Sequence, residues 1–182
     1  MSIYYHENYL KLIKDLRLLP RIYLAGKIYY KGWRHKIVSG LDSHDWDQGE
    51  LIQNEFLYVG PFFVNCNHGC YSAENSHLCT TGCSPDRDLS RKETADLCRK
   101  AVQKADLVFC YIESKDCYGT IAEIELAHTL DIKVVIVFAP GIASPQNNDM
   151  WFICELAYEV YYDVAESNLQ GVFQRKLKEL LW

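Results

Sequence analysis

The sequence predicts an α/β chain: a doubly wound, mainly parallel five-stranded sheet with helices on both faces. Two observations carry this expectation. Strand-like and helix-like runs alternate along most of the 182 residues. The strand candidates "RIYLAG", "DLVFCYI" and "KVVIVF" are also near-continuous apolar runs, as expected of parallel strands covered on both sides. Such a flavodoxin- or Rossmann-like sheet binds its ligand beyond the carboxyl ends of the strands.

Taken in order, residues 5–19 read as a lead-in helix ended by Pro20, making 1–20 a helical extension. "RIYLAG" (21–26) is the first strand, closed by Gly26, and "WRHKIVSGL" reads as a helix. "NEFLYVGPFFV" (54–64) is a second strand region, broken at Gly60-Pro61. Residues 65–89 form a polar, Cys/His-rich insertion; a connection of that length is functional or separately stabilised. "RKETADLCRKAVQKA" is a helix with Ser90 and Glu93 spaced as a capping box. Strand "DLVFCYI", helix "TIAEIELAHTL" and strand "KVVIVF" follow, then a helix from "MWFICELAYE", a last strand at "VYYDV" and the helix "LQGVFQRKLKELLW". All of 1–182 reads as a single domain. The ligand-side loops are 26–32, 60–89, 113–119 and 139–149.

The chain is 49% apolar and 24% charged, ordinary globular values. A net charge of −5 without a basic stripe argues against nucleic acid and against an anionic membrane surface. No apolar run is long enough to span a bilayer. The start "MSIYYHENYLKLIKD" lacks a secretory pattern, so the expected compartment is cytoplasmic and the eight cysteines are expected as thiols.

Glu123 is out of place in this pattern. At about 100° per residue, Leu126, Leu130, Ala127, Ala122 and Ile124 share one arc, and Glu123 falls near its middle. Glu125 falls on the solvent side. One explanation is a capping box, with Thr120 as N-cap and Glu123 three residues on. The other is chemical: a partly desolvated carboxylate at the ligand end of the sheet is a candidate nucleophile or base.

Several stretches resemble, in order, the nucleoside 2-deoxyribosyltransferase superfamily, which includes related nucleotide N-glycosidases. "IYLAG" looks like its opening strand, whose tyrosine, here Tyr23, lies near the catalytic carboxylate. "DCYGTIAEIELAH" resembles the signature Asp-loop-Gly-x-x-Glu-x-x-x-Ala, which makes Glu123 the nucleophile and Asp116 a contact to sugar or base. "NNDMW" resembles the Asn-x-Met segment that reaches a neighbouring subunit's site, giving Asn148 and Met150 and implying a homo-oligomer. The resemblance spans roughly residues 21–160. It implies attack of Glu123 on C1′ of a 2′-deoxynucleoside, release of the base, and transfer of the sugar to a free nucleobase or to water. Tyr23 would orient Glu123 through its phenol. No cofactor is implied for the catalysis. An acidic residue near the start of the preceding helix should meet the base. Asp88 and Asp96 both fit: Asp88 is nearer the helix start and is preferred as the catalytic one, while Asp96 matches the linear spacing better.

The superfamily's nucleotide hydrolases begin Gly-x-Ile, with a following Gly and Arg on the 5′-phosphate. Here Gly26, Ile28, Gly32 and Arg34, with Lys27 and Lys31, are phosphate ligands or a surface basic patch. Asp116 would repel a phosphate, so a nucleoside is preferred. A nucleotide or NAD-like N-glycoside is the alternative, and a nucleotide-sensing or zinc-stabilised interaction module the non-enzymatic one.

In the insertion, "CNHGCYSAENSHLCTTGC" offers Cys66, His68, Cys70, His77, Cys79 and Cys83. A structural zinc on Cys66, Cys70, Cys79 and Cys83 is one reading, without the usual Cys-x-x-Cys knuckles. In the other, His68 and Gly69 belong to a substrate-site loop and the thiols are incidental.

Overall fold

The structure, a computed structural model, describes residues 19–28, 32–41, 50–61 and 91–181. The lead-in helix, Lys31, His68, Asp88 and the four insertion cysteines lie outside these residues.

The described chain runs β1 (Arg21–Gly26), α1 (Arg34–Ile37), β2 (Leu51–Ile52), β3 (Leu57–Gly60), α2 (Arg91–Val102), β4 (Leu107–Ile112), α3 (Tyr118–Thr129), β5 (Lys133–Phe138), α4 (Trp151–Glu155), β6 (Glu159–Tyr161) and α5 (Glu166–Leu181). The sheet has six strands in the order β2-β3-β1-β4-β5-β6. The expected five are present. The sixth, β2, is a two-residue strand antiparallel to β3, too short to show any hydrophobic period. Every other pairing is parallel. The result is a six-stranded, mainly parallel α/β sheet, consistent with the Rossmann-like class.

Strand alternation divides the core into two layers. Ile22, Leu24, Phe109 and Val135 pack with Trp33 and with Phe173 and Leu177 of α5. Tyr23, Ala25, Val108, Cys110 and Ile136 face the opposite way, onto Ala101 of α2, Ile124 and Ala127 of α3 and Ile153 of α4. Helices therefore cover both faces, which is why the strands are apolar throughout. Chain order reverses at β1: the crossover after it reaches β3 on one side, and β4 lies on the other. At such a switch point neighbouring crossovers diverge and leave a crevice at the carboxyl ends.

Two glycines shape β1's surroundings. Gly26 ends the strand at φ +150°, and a Cβ there would lie 2.6 Å from the Tyr111 carbonyl oxygen. Gly60 has φ +148°, and its missing side chain makes room for the Tyr23 ring, 3.0 Å from where a Cβ would stand.

Candidate active site

The side chains of β1 alternate across the sheet, so Tyr23 points into the α2–α3 layer while Leu24 points away. Tyr23 is fully buried. Its phenol donates to Oε1 of Glu123 at 2.5 Å, across a hundred residues of sequence. The pair joins β1 to α3, the helix that follows β4, and so spans the switch point.

α3 begins two residues earlier than its sequence suggests. Its N-cap is Cys117, with no side-chain cap bond, and Thr120 lies buried inside the helix. The capping-box reading therefore fails: Thr120 is not an N-cap, and Glu123 lies on the second turn, beyond the free N–H groups. The inward face is Thr120, Ile124 and Ala127, with Glu123 at its margin, half-buried. Ala122 and Leu130, placed on the apolar arc by periodicity, are exposed, as is Glu125. The helix ends in a Schellman arrangement, Ile132 N–H to the Ala127 carbonyl and Asp131 N–H to that of His128, with Asp131 at φ 56°.

Burial pushes the Glu123 carboxyl up to about 7, against the opposing pull of the Tyr23 hydrogen bond and the Arg34 charge. Near neutrality it is present as both acid and carboxylate. Burial, then Glu123 and Cys98, hold the Tyr23 phenol well above its usual range, so it stays protonated and serves as donor. Burial and Glu123 push the thiol of Cys98, half-buried on α2, up to about 11.

At the rim, Asp116 is exposed and pairs with Lys27 of the β1–α1 loop at 3.1 Å. Ser114 and Lys27 beside it hold its carboxyl below the usual range. Lys115 and Asp149, 2.5 Å apart, join the β4–α3 loop to the β5–α4 loop. Asn148 is committed to its own chain: its Oδ1 accepts from Met150 N–H at 2.9 Å, and its Nδ2 faces Cys154 Sγ at 3.0 Å. Met150 is buried in the α3–α4 layer rather than projecting from the surface. Asp96 is exposed on α2, about 200° round from Cys98, whose side faces the sheet. Its side chain faces solvent rather than the sheet. Asp106, at the amino end of the sheet, accepts from the Arg21 backbone N–H at 2.7 Å, a structural use that fits its distance from the crevice.

Arg34 is where the sequence reading is corrected. It is neither a surface charge nor free for phosphate, because it is buried and bonded to backbone carbonyls. Its neighbours in "GKIYYKGWR" gave a basic look, but nothing in that spacing announces a buried guanidinium. Cys98 as a neighbour of Tyr23 was likewise missed, since β1 and α2 are far apart in sequence.

Among the described residues no group of three or more His, Cys, Asp or Glu could hold a metal, and no helix is long and apolar enough to cross a membrane. The four described cysteines, Cys98, Cys110, Cys117 and Cys154, are free thiols. No family model matches the chain, and no curated protein matches it either.

Proposed function

We propose that the protein is an N-glycosyl-transfer enzyme that moves 2′-deoxyribose from a deoxynucleoside to a free nucleobase through a covalent ester on Glu123. The observation that carries this reading is the Tyr23–Glu123 hydrogen bond at the switch point of the sheet. One carboxylate oxygen is occupied by a phenol and the other is left to act. With its pKa near 7, Glu123 is ionised often enough at neutral pH to attack, and burial makes the carboxylate more reactive than one in water.

In the first step Glu123 Oε2 forms a bond to C1′ as the C1′–N bond breaks. The base leaves with the electron pair and takes a proton from water. In the second step the ring nitrogen of an incoming base attacks C1′ and gives its proton to solvent, restoring the one taken in the first step, as the C1′–Oε2 ester bond breaks to return the carboxylate. Tyr23 holds Oε1 throughout and stabilises the carboxylate each time it is released.

What accompanies Glu123 among the described residues supports a substrate class. The rim carboxylate Asp116 is exposed and held ionised, so it is no general acid for a difficult leaving group. A half-buried carboxylate held by a phenol suits a bond whose oxocarbenium-like transition state forms readily, and a sugar lacking the 2′-OH provides one. Together with the sequence resemblance this favours 2′-deoxynucleosides. Arg34, the residue with the strongest sequence claim on a phosphate, is spent on carbonyls, and this favours nucleosides over nucleotides. Lys27 offsets the charge of Asp116, so repulsion at the rim contributes less to that preference than the sequence suggests. The flavodoxin-like wrapping and the homo-oligomer belong to the same proposal.

The test is base exchange: purified protein, a deoxynucleoside and a second free base, with both nucleosides followed by chromatography. Exchange by the native protein and none by Glu123→Ala is the expected result. Normal exchange by Glu123→Ala removes Glu123 as the nucleophile. Free deoxyribose formed without dependence on acceptor base replaces transfer with hydrolysis.

A further inference from the structure

Arg34 is only 1% exposed, and its planar fork is spent on the end of β1. Nε donates to the Leu24 carbonyl at 2.8 Å, Nη2 to Gly26 at 2.7 Å and Nη1 to Lys27 at 2.9 Å. The guanidinium also lies over the Trp33 ring, 4.7 Å from its centroid. A buried cation is costly unless its surroundings answer its charge, and three carbonyl dipoles with an aromatic face are a partial answer. Lysine, a point charge on a flexible stem, cannot reproduce the fork that reaches three carbonyls at once.

The strand that Arg34 fastens is the one that carries Tyr23. Among the described residues, the groups whose charge states are linked to Glu123 are Tyr23 of β1, Tyr58 of β3, Cys98 of α2, Cys110 of β4 and Arg34 of α1. Burial raises the phenols and thiols in that set, so they are neutral at pH 7 and Arg34 alone carries a formal charge.

We propose that Arg34 is a positioning residue for Glu123: its three-carbonyl fork fixes the end of the strand that bears Tyr23, and so sets the phenol that holds Glu123 Oε1. Its role rests on Glu123 being the working group. It acts without touching substrate.

The test reads the titration of Glu123 in the resting protein, so its outcome is separate from whether bases are exchanged. Glutamate carboxyl carbons are labelled with ¹³C and followed by NMR against pH, with Glu123→Gln identifying the resonance. The native midpoint is expected near 7. Arg34→Gln should raise it by about one pH unit, because a loosened β1 end weakens the Tyr23 hydrogen bond that favours the carboxylate. Arg34→Lys keeps the charge but loses the fork, and should move the midpoint in the same direction as Arg34→Gln. In the unmodified protein, the Arg34 Nε–H resonance should show an inflection at the Glu123 midpoint, a readout that stands even where Arg34→Gln does not fold. An unmoved midpoint in Arg34→Gln, a native midpoint in Arg34→Lys, or no inflection at Nε–H overturns the proposal.

Discussion

Replacing Glu123 by Gln should stabilise the protein, and by an amount that depends on pH. The folded state holds this carboxyl at about 7 against an ordinary 4.5, a gap of about 2.5. At about 1.4 kcal/mol per pH unit, ionising Glu123 in place costs roughly 3 kcal/mol of folding stability. Because the folded value lies above the unfolded one, the penalty is absent below about pH 4.5, grows as pH rises, and is complete above about pH 7. Gln has nearly the same shape, still accepts from the Tyr23 phenol, and cannot ionise. Near pH 4.5 the two proteins should therefore differ only by the small cost of the exchanged group. By pH 8 Glu123→Gln should gain up to roughly 3 kcal/mol on that baseline, about 6–12 °C in melting temperature for a domain of this size. Paired urea unfolding curves, read by circular dichroism at both pH values, measure the change. All other titrating groups are common to both proteins and cancel in the difference. A Gln-minus-Glu difference that is the same at pH 4.5 and pH 8 would refute the buried, elevated carboxyl.

Tyr23→Phe removes the donor that holds Glu123 Oε1, which pulls the carboxyl's pKa upward. Base exchange at pH 7 should fall roughly 10- to 100-fold, as for loss of a hydrogen bond to a charged group, with the acid limb of the pH–rate profile moved to higher pH. An unchanged profile argues against Tyr23 as the tuning group. Gly26→Ala places a Cβ 2.6 Å from the Tyr111 carbonyl at a φ of +150°. It should cost more than about 1 kcal/mol, read as a melting temperature lower by several degrees, and an unaltered melting curve would mean that β1 ends differently.

The sheet was legible because its physics is local. Buried parallel strands must be apolar on both sides, so β1, β4 and β5 declare themselves in "RIYLAG", "DLVFCYI" and "KVVIVF". β2 did not, since two residues on an edge carry no period. In the site, Glu123 stood out as a charge in an apolar arc, and the resemblance named Tyr23 as its neighbour. Arg34 stayed hidden because its partners are backbone carbonyls, which every residue has, so no complementary side chain advertises them. Asp96 shows the converse: its Asp-Leu context matched a pattern, but helical phase alone turns it to solvent.

The start of α3 matters more than the three-residue shift of its N-cap, from Thr120 to Cys117, suggests. At the third helical position, as the capping box requires, a glutamate meets the chain's unsatisfied N–H groups and the positive end of the helix dipole. Both favour the anion, and a carboxyl there is depressed. With the helix opening at Tyr118, Glu123 is its sixth residue, past those donors. Burial is then the largest influence, and the opposing ones come from outside the helix: a phenol from β1 and a cation from α1. Both depend on β1, the first through its side chain and the second through the carbonyls that end it. A cap would be a fixed anion that costs little and reacts poorly. One turn further along, the same residue titrates near neutrality, where an ionised nucleophile and a good leaving carboxylate are both within reach.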